Sequence, residues 1–224
     1  PAPIILALMI NEVKNSAFKR TVQTITYMPY FISMVVLCGL LKTFSMQDGL
    51  FSQIATVFGG KAQNFLANPN YFRTIYVLSD IWSGIGWNSI IYLAALSSID
   101  QEQYEAARVD GANRFQQMLH ITLPGLVPTI MILFILRMGN ILNVGYEKIL
   151  LLYNSATYST ADVISTYTYR LSFGGSGNPM YSKSTAIGLF NTIINVVFLM
   201  LTNMISKKAT DILKRGGSLK CEQK

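Results

Sequence analysis

The sequence predicts an all-α protein, a polytopic bundle of helices that cross a lipid bilayer. Hydrophobic residues make up 51% of its 224 residues and charged residues only 13%, about half of the roughly 25% that is usual in soluble domains. Apolar runs of about 20 residues recur along the chain, and a helix of that length covers the roughly 30 Å hydrocarbon core of a membrane. The sequence does not show the period-2 alternation that a membrane β-barrel strand requires.

The chain begins with an apolar run, PAPIILALMI, that has neither the basic flank nor the cleavage site of a signal peptide. We therefore expect this run to be the end of a span whose amino-terminal part is missing from these residues. Complete spans are predicted near residues 24–44, 74–98, 127–145 and 185–206. Together they form a transmembrane domain over 1–206, followed by a basic tail over 207–224. A large soluble helical core is the alternative, but soluble helices rarely need such length.

Lysines and arginines predict the orientation of the spans, because cytoplasmic connections carry an excess of them. Segments 11–23 and 99–126 and the tail hold eleven Lys and Arg residues, whereas the longer segments 45–73 and 146–184 hold five. The connection 99–126 and the tail are therefore predicted to be cytoplasmic, and the two long connections to face outward. An even number of complete spans agrees with this assignment.

The connection 99–126 is one of the least apolar stretches of the chain, although predicted spans flank it on both sides. Ser98 or Asp100 can cap the start of a helix, with a glutamine three residues further on as the partner in a capping box. The helix is predicted to cover residues 101–109, QEQYEAARV. Its charged residues and small alanines lie close together, as on a surface that another protein approaches closely.

A bend and a second short helix complete this connection. The Asp110-Gly111 pair is a turn signal, and residues 113–121, NRFQQMLHI, predict a further helix. Pro124 and Pro128 lie where a new span is expected to start. We interpret the connection as a compact helical hairpin that docks another protein. The alternative is an amphipathic connector that rests on lipid headgroups.

Other classes of site lack the residues they require. Lys and Arg gather at the ends of apolar runs rather than on one face, which argues against nucleic-acid binding. Cys38 and Cys221 are far apart, and His120 has no second ligand near it in the sequence, so no metal or redox centre is predicted. The phosphate-binding pattern G-x-x-x-x-G-K-[ST] is absent from the sequence, and neither a cofactor nor a catalytic residue is predicted.

The stretch EAARVDGANRFQQMLHITLPGLVPT resembles the EAA loop of permease subunits in binding-protein-dependent ABC importers. VGYEKILLLYN, TYSTADVISTYTYR and STAIGLFNTIINVVFLMLTN are similar to LplB-like polysaccharide and oligosaccharide permeases, relatives of the maltose permease subunits. The resemblance covers nearly the whole chain and implies the type I importer permease fold. That family normally has at least one further span ahead of this point.

This resemblance also implies the partners and the coupling residues. Two homologous permease subunits form a heterodimer in the bilayer, an extracellular sugar-binding protein delivers the solute, and each EAA loop docks on a cytoplasmic ABC ATPase dimer that hydrolyses ATP. The permease itself would then be non-catalytic. The residues expected to couple to the ATPase are Glu105, Ala106, Ala107, Arg108, Asp110, Gly111, Ile121, Leu123 and Pro124.

Polar residues inside the spans are the candidates for a substrate pathway. At 100° per residue, several of them fall on a common face of their helix. They are Tyr76, Asp80, Ser83 and Trp87 in one span, Arg137, Asn140 and Asn143 in the next, and Asn191 and Asn195 with Thr202 in the last. A charge at the bilayer centre costs on the order of 2.5–3.5 kcal/mol, so Asp80 and Arg137 are expected to face the bundle interior, a cavity or each other.

Two interpretations of these polar residues remain open. In the structural one, the amides and hydroxyls bond neighbouring helices and Arg137 ties the bundle together. In the functional one, Trp87 or Tyr76 stacks on a sugar ring while Asp80, Asn140 and Asn143 bond its hydroxyl groups.

The predicted function is that of a permease subunit in the bacterial cytoplasmic membrane, where an ATP-driven importer moves oligo- or polysaccharide fragments. The alternative functions are an ABC permease for another solute and a secondary transporter, although the sequence shows no internal repeat of the kind such carriers carry. A membrane-embedded enzyme is the third class, and it would need a catalytic set that the spans do not display.

Overall fold

The computed structural model describes residues 1–143, 145–174 and 178–221, with side chains up to residue 207. These residues form helices and connecting turns without a strand, which confirms the all-α prediction for the described chain. The helices are α1 (Ala2–Glu12), α2 (Ser16–Tyr27), α3 (Met34–Ser45), α4 (Leu50–Val57), α5 (Pro69–Ser97), α6 (Gln101–Val109), α7 (Arg114–Gln117), α8 (Leu123–Met138), α9 (Tyr146–Leu152), α10 (Tyr158–Ala161), α11 (Ile164–Phe173) and α12 (Tyr181–Cys221).

Three helical stretches are long and apolar enough to cross a membrane, namely Met34–Val57, Arg114–Met138 and Tyr181–Lys207. The predicted spans 127–145 and 185–206 overlap the last two, although α8 already ends at Met138. The predicted span 74–98 lies almost wholly within α5, which has the length to cross with its 29 residues but is not one of the three stretches that are also apolar enough. The backbone of α12 continues through the start of the predicted tail to Cys221.

The predicted span 24–44 differs from the structure, because it is not one helix. Helix α2 ends at Tyr27, a 3₁₀ turn covers Met28–Phe31, and α3 begins at Met34. Pro29 lies in the first turn of the 3₁₀ segment, where its missing N–H prevents a continuous helical ladder. A hydropathy window detects the apolar run but not this break. The apolar stretch Met34–Val57 starts ten residues later than predicted and consists of α3 and α4, which a turn joins.

The chain divides into two compact units, one of them formed by Pro1–Ala2, Val13–Asn88 and Asn143–Gly188. The core of this unit joins α3, the start of α5, α9 and α10. Its buried members are Leu37, Cys38, Leu41, Leu66, Phe72, Ile149, Leu152 and Ala161. Within α3 the buried side chains recur at the one- and four-residue spacing of a single helical face, which places α9 against that face.

The other unit consists of Pro3–Glu12, Ser89–Leu142 and Leu189–Lys224. Ala7 of α1, Leu96 of α5 and Leu126 of α8 form its buried centre. Tyr92, Leu93, Ile99 and Ile130 pack around them. This small core surrounds the point where α5 ends and α8 begins, which are the two ends of the connection 99–126.

Candidate coupling hairpin and polar faces of the membrane helices

The first arm of the hairpin is α6, with the bounds Gln101–Val109 that the sequence predicts. Asp100 is its N-cap, and the Asp100 carboxylate accepts a hydrogen bond from the backbone N–H of Glu102 at 3.1 Å. The helix ends at Val109 with Asp110 as its C-cap, and Gly111 takes a φ of +78°. Since this left-handed conformation is strained for residues with a Cβ, glycine permits the predicted bend at this position.

The second arm begins with a capping box. The Asn113 side chain accepts a hydrogen bond from the Gln116 N–H at 2.9 Å, and the Gln116 side chain accepts one from the Asn113 N–H at 2.8 Å. The reciprocal box was expected at Ser98 or Asp100, and there the structure shows only the one-sided cap of Asp100. Helix α7, a π-helical segment over Met118–Thr122 and α8 then follow without a break. The hairpin is therefore continuous with a helix that can cross the membrane.

A hollow of about 330 Å³ lies between the arms of the hairpin. It collects several of the predicted coupling residues on one concave surface. The lining residues are Ala107, Asp110, Gly111, Ala112, Gln116, Gln117, His120 and Ile121. Gly111 and the small side chains of Ala107 and Ala112 leave this space open, so a side chain of a partner protein can enter it.

The other predicted coupling residues lie outside the hollow. Glu105, Ala106 and Arg108 are exposed on α6, where the two charged side chains are available to a partner. Leu123 and Pro124 form the first turn of α8, with Leu123 half-buried. The fully buried residue at this end is Leu126, four positions after Thr122, which is also buried. Leu126 packs with Ala7 and Leu96 and so anchors this end of the hairpin to α1 and α5.

A buried lysine determines the surroundings of the polar face of α5. Lys148 of α9 is only 1% exposed, and its Nζ lies 3.5 Å from Asp80 Oδ1. The same Nζ donates a hydrogen bond to the Tyr76 carbonyl oxygen at 3.1 Å and lies 4.7 Å from the centroid of the Tyr76 ring. Burial lowers the pKa of the Lys148 ammonium, and the Asp80 carboxylate opposes that shift.

The cation that lies beside Asp80 in the structure is Lys148. Arg137 was one of the alternatives that the sequence offered for Asp80, together with the bundle interior and a cavity. Lys148 was assigned to an outward connection, where a lysine is normally solvated. The run YEKILLL could have indicated a buried lysine, because it places a single lysine within an otherwise largely apolar helix. A basic side chain in such a run needs an acidic or carbonyl partner.

Trp87, further along the same face of α5, belongs to an aromatic cluster. Its ring stacks on Tyr30, with centroids 4.6 Å apart and planes 4° apart, and Phe31 meets it edge-on at 5.8 Å. The neighbouring Gly86 packs so closely on the Thr26 carbonyl that a Cβ would clash with it. Trp87 is thus held in place on one face, while 40% of the residue stays exposed. Ser83, between Asp80 and Trp87, donates a hydrogen bond to the Asp80 carbonyl at 3.2 Å.

The predicted polar residues of α8 and α12 have mostly local or structural contacts. Asn195 is 8% exposed, and its Oδ1 accepts a hydrogen bond from the Leu142 N–H at 3.4 Å. It thereby satisfies backbone just beyond the end of α8, which supports the structural interpretation for this residue. Asn140 donates to the Leu136 carbonyl at 3.3 Å, and Arg137 is exposed.

Two further predicted pathway residues, Asn143 and Asn191, lie in different units of the chain. Asn143 is exposed and Asn191 is half-buried. The structure therefore groups Tyr76 and Asp80 around Lys148, and it groups Trp87 with Tyr30.

The connection 146–184 contains a second, well-formed ion pair. Arg170 of α11 donates two hydrogen bonds to the Asp162 carboxylate, at 2.8 and 2.6 Å, and the Thr166 hydroxyl donates a third at 2.6 Å. The hydrogen bonds from Arg170 hold the pKa of Asp162 below its ordinary value, and Asp162 in turn raises the pKa of Arg170. The guanidinium carbon also lies 5.2 Å from the centre of the Tyr158 ring. This network gives the connection between α10 and α11 a defined shape.

Helical stretches long and apolar enough to cross a membrane, and a two-helix hairpin that leads directly into one of them, define a membrane-embedded protein. Residues 1–211 match the family described as "Binding-protein-dependent transport system inner membrane component", and the chain belongs to this family. It is 42% identical over 209 residues to Protein LplB of Bacillus subtilis (strain 168), covering 93% of this chain and 65% of that protein.

A second relative in Bacillus subtilis (strain 168), the polygalacturonan/rhamnogalacturonan transport system permease protein YteP, is 41% identical, with 93% of this chain and 64% of the relative covered. The chain thus spans about 65% of the length of these curated relatives. In the crystal structure of a bacterial ABC transporter involved in the import of the acidic polysaccharide alginate, one chain is 47% identical with a TM-score of 0.89, covering 93% of this chain and 72% of that chain. This similarity confirms the predicted importer permease fold.

Proposed function

We propose that this chain is a permease subunit of an ATP-driven importer that moves oligo- or polysaccharide fragments across the cytoplasmic membrane of a bacterium. The observation that carries the proposal is the hairpin 99–126, whose second arm continues directly into a helix of membrane-spanning length. Such a continuous element can transmit the movement of a soluble ATPase to the membrane helices. The family membership and the saccharide names of the relatives support the same function.

The proposed assembly has four kinds of component. This chain pairs with a second, homologous permease subunit in a heterodimer, a cytoplasmic ABC ATPase dimer hydrolyses ATP, and an extracellular sugar-binding protein delivers the solute. The chain itself is non-catalytic. Its excess of Lys and Arg in segments 11–23, 99–126 and the tail puts the hairpin and the tail on the cytoplasmic side.

Docking is proposed to use the hollow between the two arms. An ATPase side chain enters beside Ala107 and Gly111, while Glu105 and Arg108 make charged contacts at the rim. The substrate pathway is proposed to run along the polar face of α5. There the exposed part of the Trp87–Tyr30 pair offers an aromatic surface to a sugar ring, and Asp80 offers hydrogen-bond acceptors to its hydroxyl groups.

The docking proposal is tested with Ala107→Trp, because the indole would project into the hollow of about 330 Å³ that Ala107 lines and narrow it. We expect normal membrane insertion but strongly reduced co-purification of the ATPase, with transport and sugar-stimulated ATP hydrolysis falling together by at least about tenfold. A tenfold loss corresponds to only about 1.4 kcal/mol of docking energy. Co-purification with the partner subunits, followed by ATPase and uptake assays in liposomes, measures these quantities.

The matched control is Glu102→Trp, which adds the same side chain at an exposed position of α6 outside the hollow. It should leave association and transport close to wild type. Full ATPase association and transport by Ala107→Trp would refute the proposed docking site. An uptake assay with oligogalacturonide, alginate oligosaccharide and maltodextrin identifies the sugar class, and uptake of none of them in an ATPase-bound complex would favour a different solute.

A further inference from the structure

The second arm of the hairpin has a weak point in its backbone ladder. Over Met118–Thr122 the helix adopts the π register, in which the Leu123 N–H bonds to the Met118 carbonyl five residues back. Pro124 and Pro128 follow within one turn and two turns, and each removes an amide donor from the ladder. Single π turns of this kind commonly occur at functional sites and at bends. Left to its backbone alone, this arm would flex where it enters α8.

Side chains span this weak point. The Tyr104 hydroxyl of α6 and Thr122 Oγ1 lie 2.9 Å apart, within hydrogen-bond distance, and Thr122 also donates to the Gln117 carbonyl at 3.4 Å. Gln117 Nε2 in turn donates to the Ala112 carbonyl at 2.8 Å. Thr122 is 1% exposed, so its hydroxyl is shielded from competing water. The Tyr104–Thr122 contact joins α6 to the last residue of the π segment, directly before α8, and bypasses the Gly111 bend.

We propose that Tyr104 and Thr122 are positioning residues that lock this π turn, so that the docking hairpin and α8 move as one rigid body. We refer to the two hydroxyl groups as the Tyr104–Thr122 clasp. With the clasp closed, a displacement of α6 by the ATPase is carried to the membrane helix. With the clasp broken, the π turn absorbs part of the displacement. The inference rests on the proposed docking of an ATPase and adds the residues that determine how efficiently docking is converted into helix movement.

The variants that test the clasp are Tyr104→Phe and Thr122→Val, which remove one hydroxyl each and preserve shape. Thr122→Ser, which keeps the hydroxyl, is the matched control. Both Tyr104 and Thr122 lie outside the residues that line the docking hollow, so ATPase association should stay at the wild-type level. Amide hydrogen exchange over residues 118–123 of the purified permease should become about two- to tenfold faster in Tyr104→Phe and Thr122→Val, which is the equilibrium effect of one hydrogen bond.

The movement itself is measured between spin labels at Glu102→Cys in α6 and Ile132→Cys in α8, both exposed positions, in a background that lacks Cys38 and Cys221. In the complete importer, the label distance should stay narrow with and without ATP and vanadate. The distribution should broaden in Tyr104→Phe and Thr122→Val and remain narrow in Thr122→Ser. It should broaden no further in the double variant Tyr104→Phe/Thr122→Val, because each single variant already removes the same hydrogen bond.

Three results would overturn the inference: an unchanged distance distribution in Tyr104→Phe, a distance in the wild type that already changes on ATP binding, or losses that add in the double variant. A failure of the wild-type chain to retain an ATPase would instead contradict the proposed function. In that case the hydrogen-exchange comparison, which needs no partner, still decides whether the clasp holds the π turn.

Discussion

Asp80 and Lys148 form an asymmetric ion pair, and we expect their substitutions to have unequal effects. Lys148 is buried while the Asp80 side chain is 54% exposed. Asp80→Asn therefore leaves the buried Lys148 ammonium without its counter-charge, with the Tyr76 carbonyl and ring still beside it. Lys148→Met instead replaces the buried charge by an apolar chain of similar length. Although Asp80 is the residue in the predicted pathway, its neutralisation should destabilise the fold more than the loss of the lysine.

The magnitude follows from the geometry. At the observed 3.5 Å, and with an effective dielectric constant of about 20, the Coulomb attraction is about 5 kcal/mol. Removing the proton from a lysine at pH 7 costs a similar ~5 kcal/mol. The loss of stability in Asp80→Asn cannot exceed this cost, because the buried lysine can release its proton instead of remaining charged. Since Asp80 is half exposed, solvent screening reduces the expected effect of Asp80→Asn to about 2–3 kcal/mol. Lys148→Met should stay within about 1 kcal/mol of wild type, because apolar replacements of buried charges are often neutral.

Thermal unfolding of the purified subunit in detergent measures this order. For a chain of this size, 1 kcal/mol corresponds to a shift of about 2–4 °C in the midpoint, so Asp80→Asn should unfold roughly 4–12 °C below wild type. The deficit should shrink as the pH rises above 7, because burial lowers the pKa of the lysine that has lost its counter-charge, and the folded chain then releases this proton more readily than the unfolded chain. The double variant should resemble Lys148→Met. A Lys148→Met protein that is less stable than Asp80→Asn would refute this reasoning.

Two further predictions concern the aromatic cluster and the Arg170–Asp162 ion pair. Trp87→Ala should lower sugar uptake about tenfold through lost stacking, with assembly and basal ATP hydrolysis unchanged, as measured in liposomes; loss of assembly instead would assign Trp87 a structural role. Because Arg170 holds the pKa of Asp162 below its ordinary ~3.9, their bridge stabilises the fold above about pH 4 and loses this effect as the pH falls through the lowered pKa. Asp162→Asn should therefore cost about 0.5–1 kcal/mol at pH 7, both side chains being about 30% exposed, and this cost should vanish in acid. A cost that is the same at pH 7 and pH 3 in unfolding scans would contradict that account.

Local signals predicted the hairpin closely. The bounds of α6, its Asp100 cap and the bend at Gly111 depend on hydrogen bonds and dihedral angles within a few residues, and such features can be read from the sequence around them. Hydropathy located two of the three apolar stretches that can cross, those overlapping the predicted spans 127–145 and 185–206, because the transfer of a helix into lipid depends on its own composition. The break at Pro29 was available in the sequence but lay inside an apolar run, where the window averages over it.

The sequence by itself determined the helical class, the apolar stretches and the hairpin, since each of these depends on residues that are neighbours along the chain. Only the tertiary structure decided which residues far apart in the chain meet. The contacts of Lys148 with Asp80 and Tyr76, of Trp87 with Tyr30, and of Tyr104 with Thr122 join positions 18 to 72 residues apart. Their partners are selected by how the helices pack, and a periodicity within one helix carries no information about the helix that will lie against it.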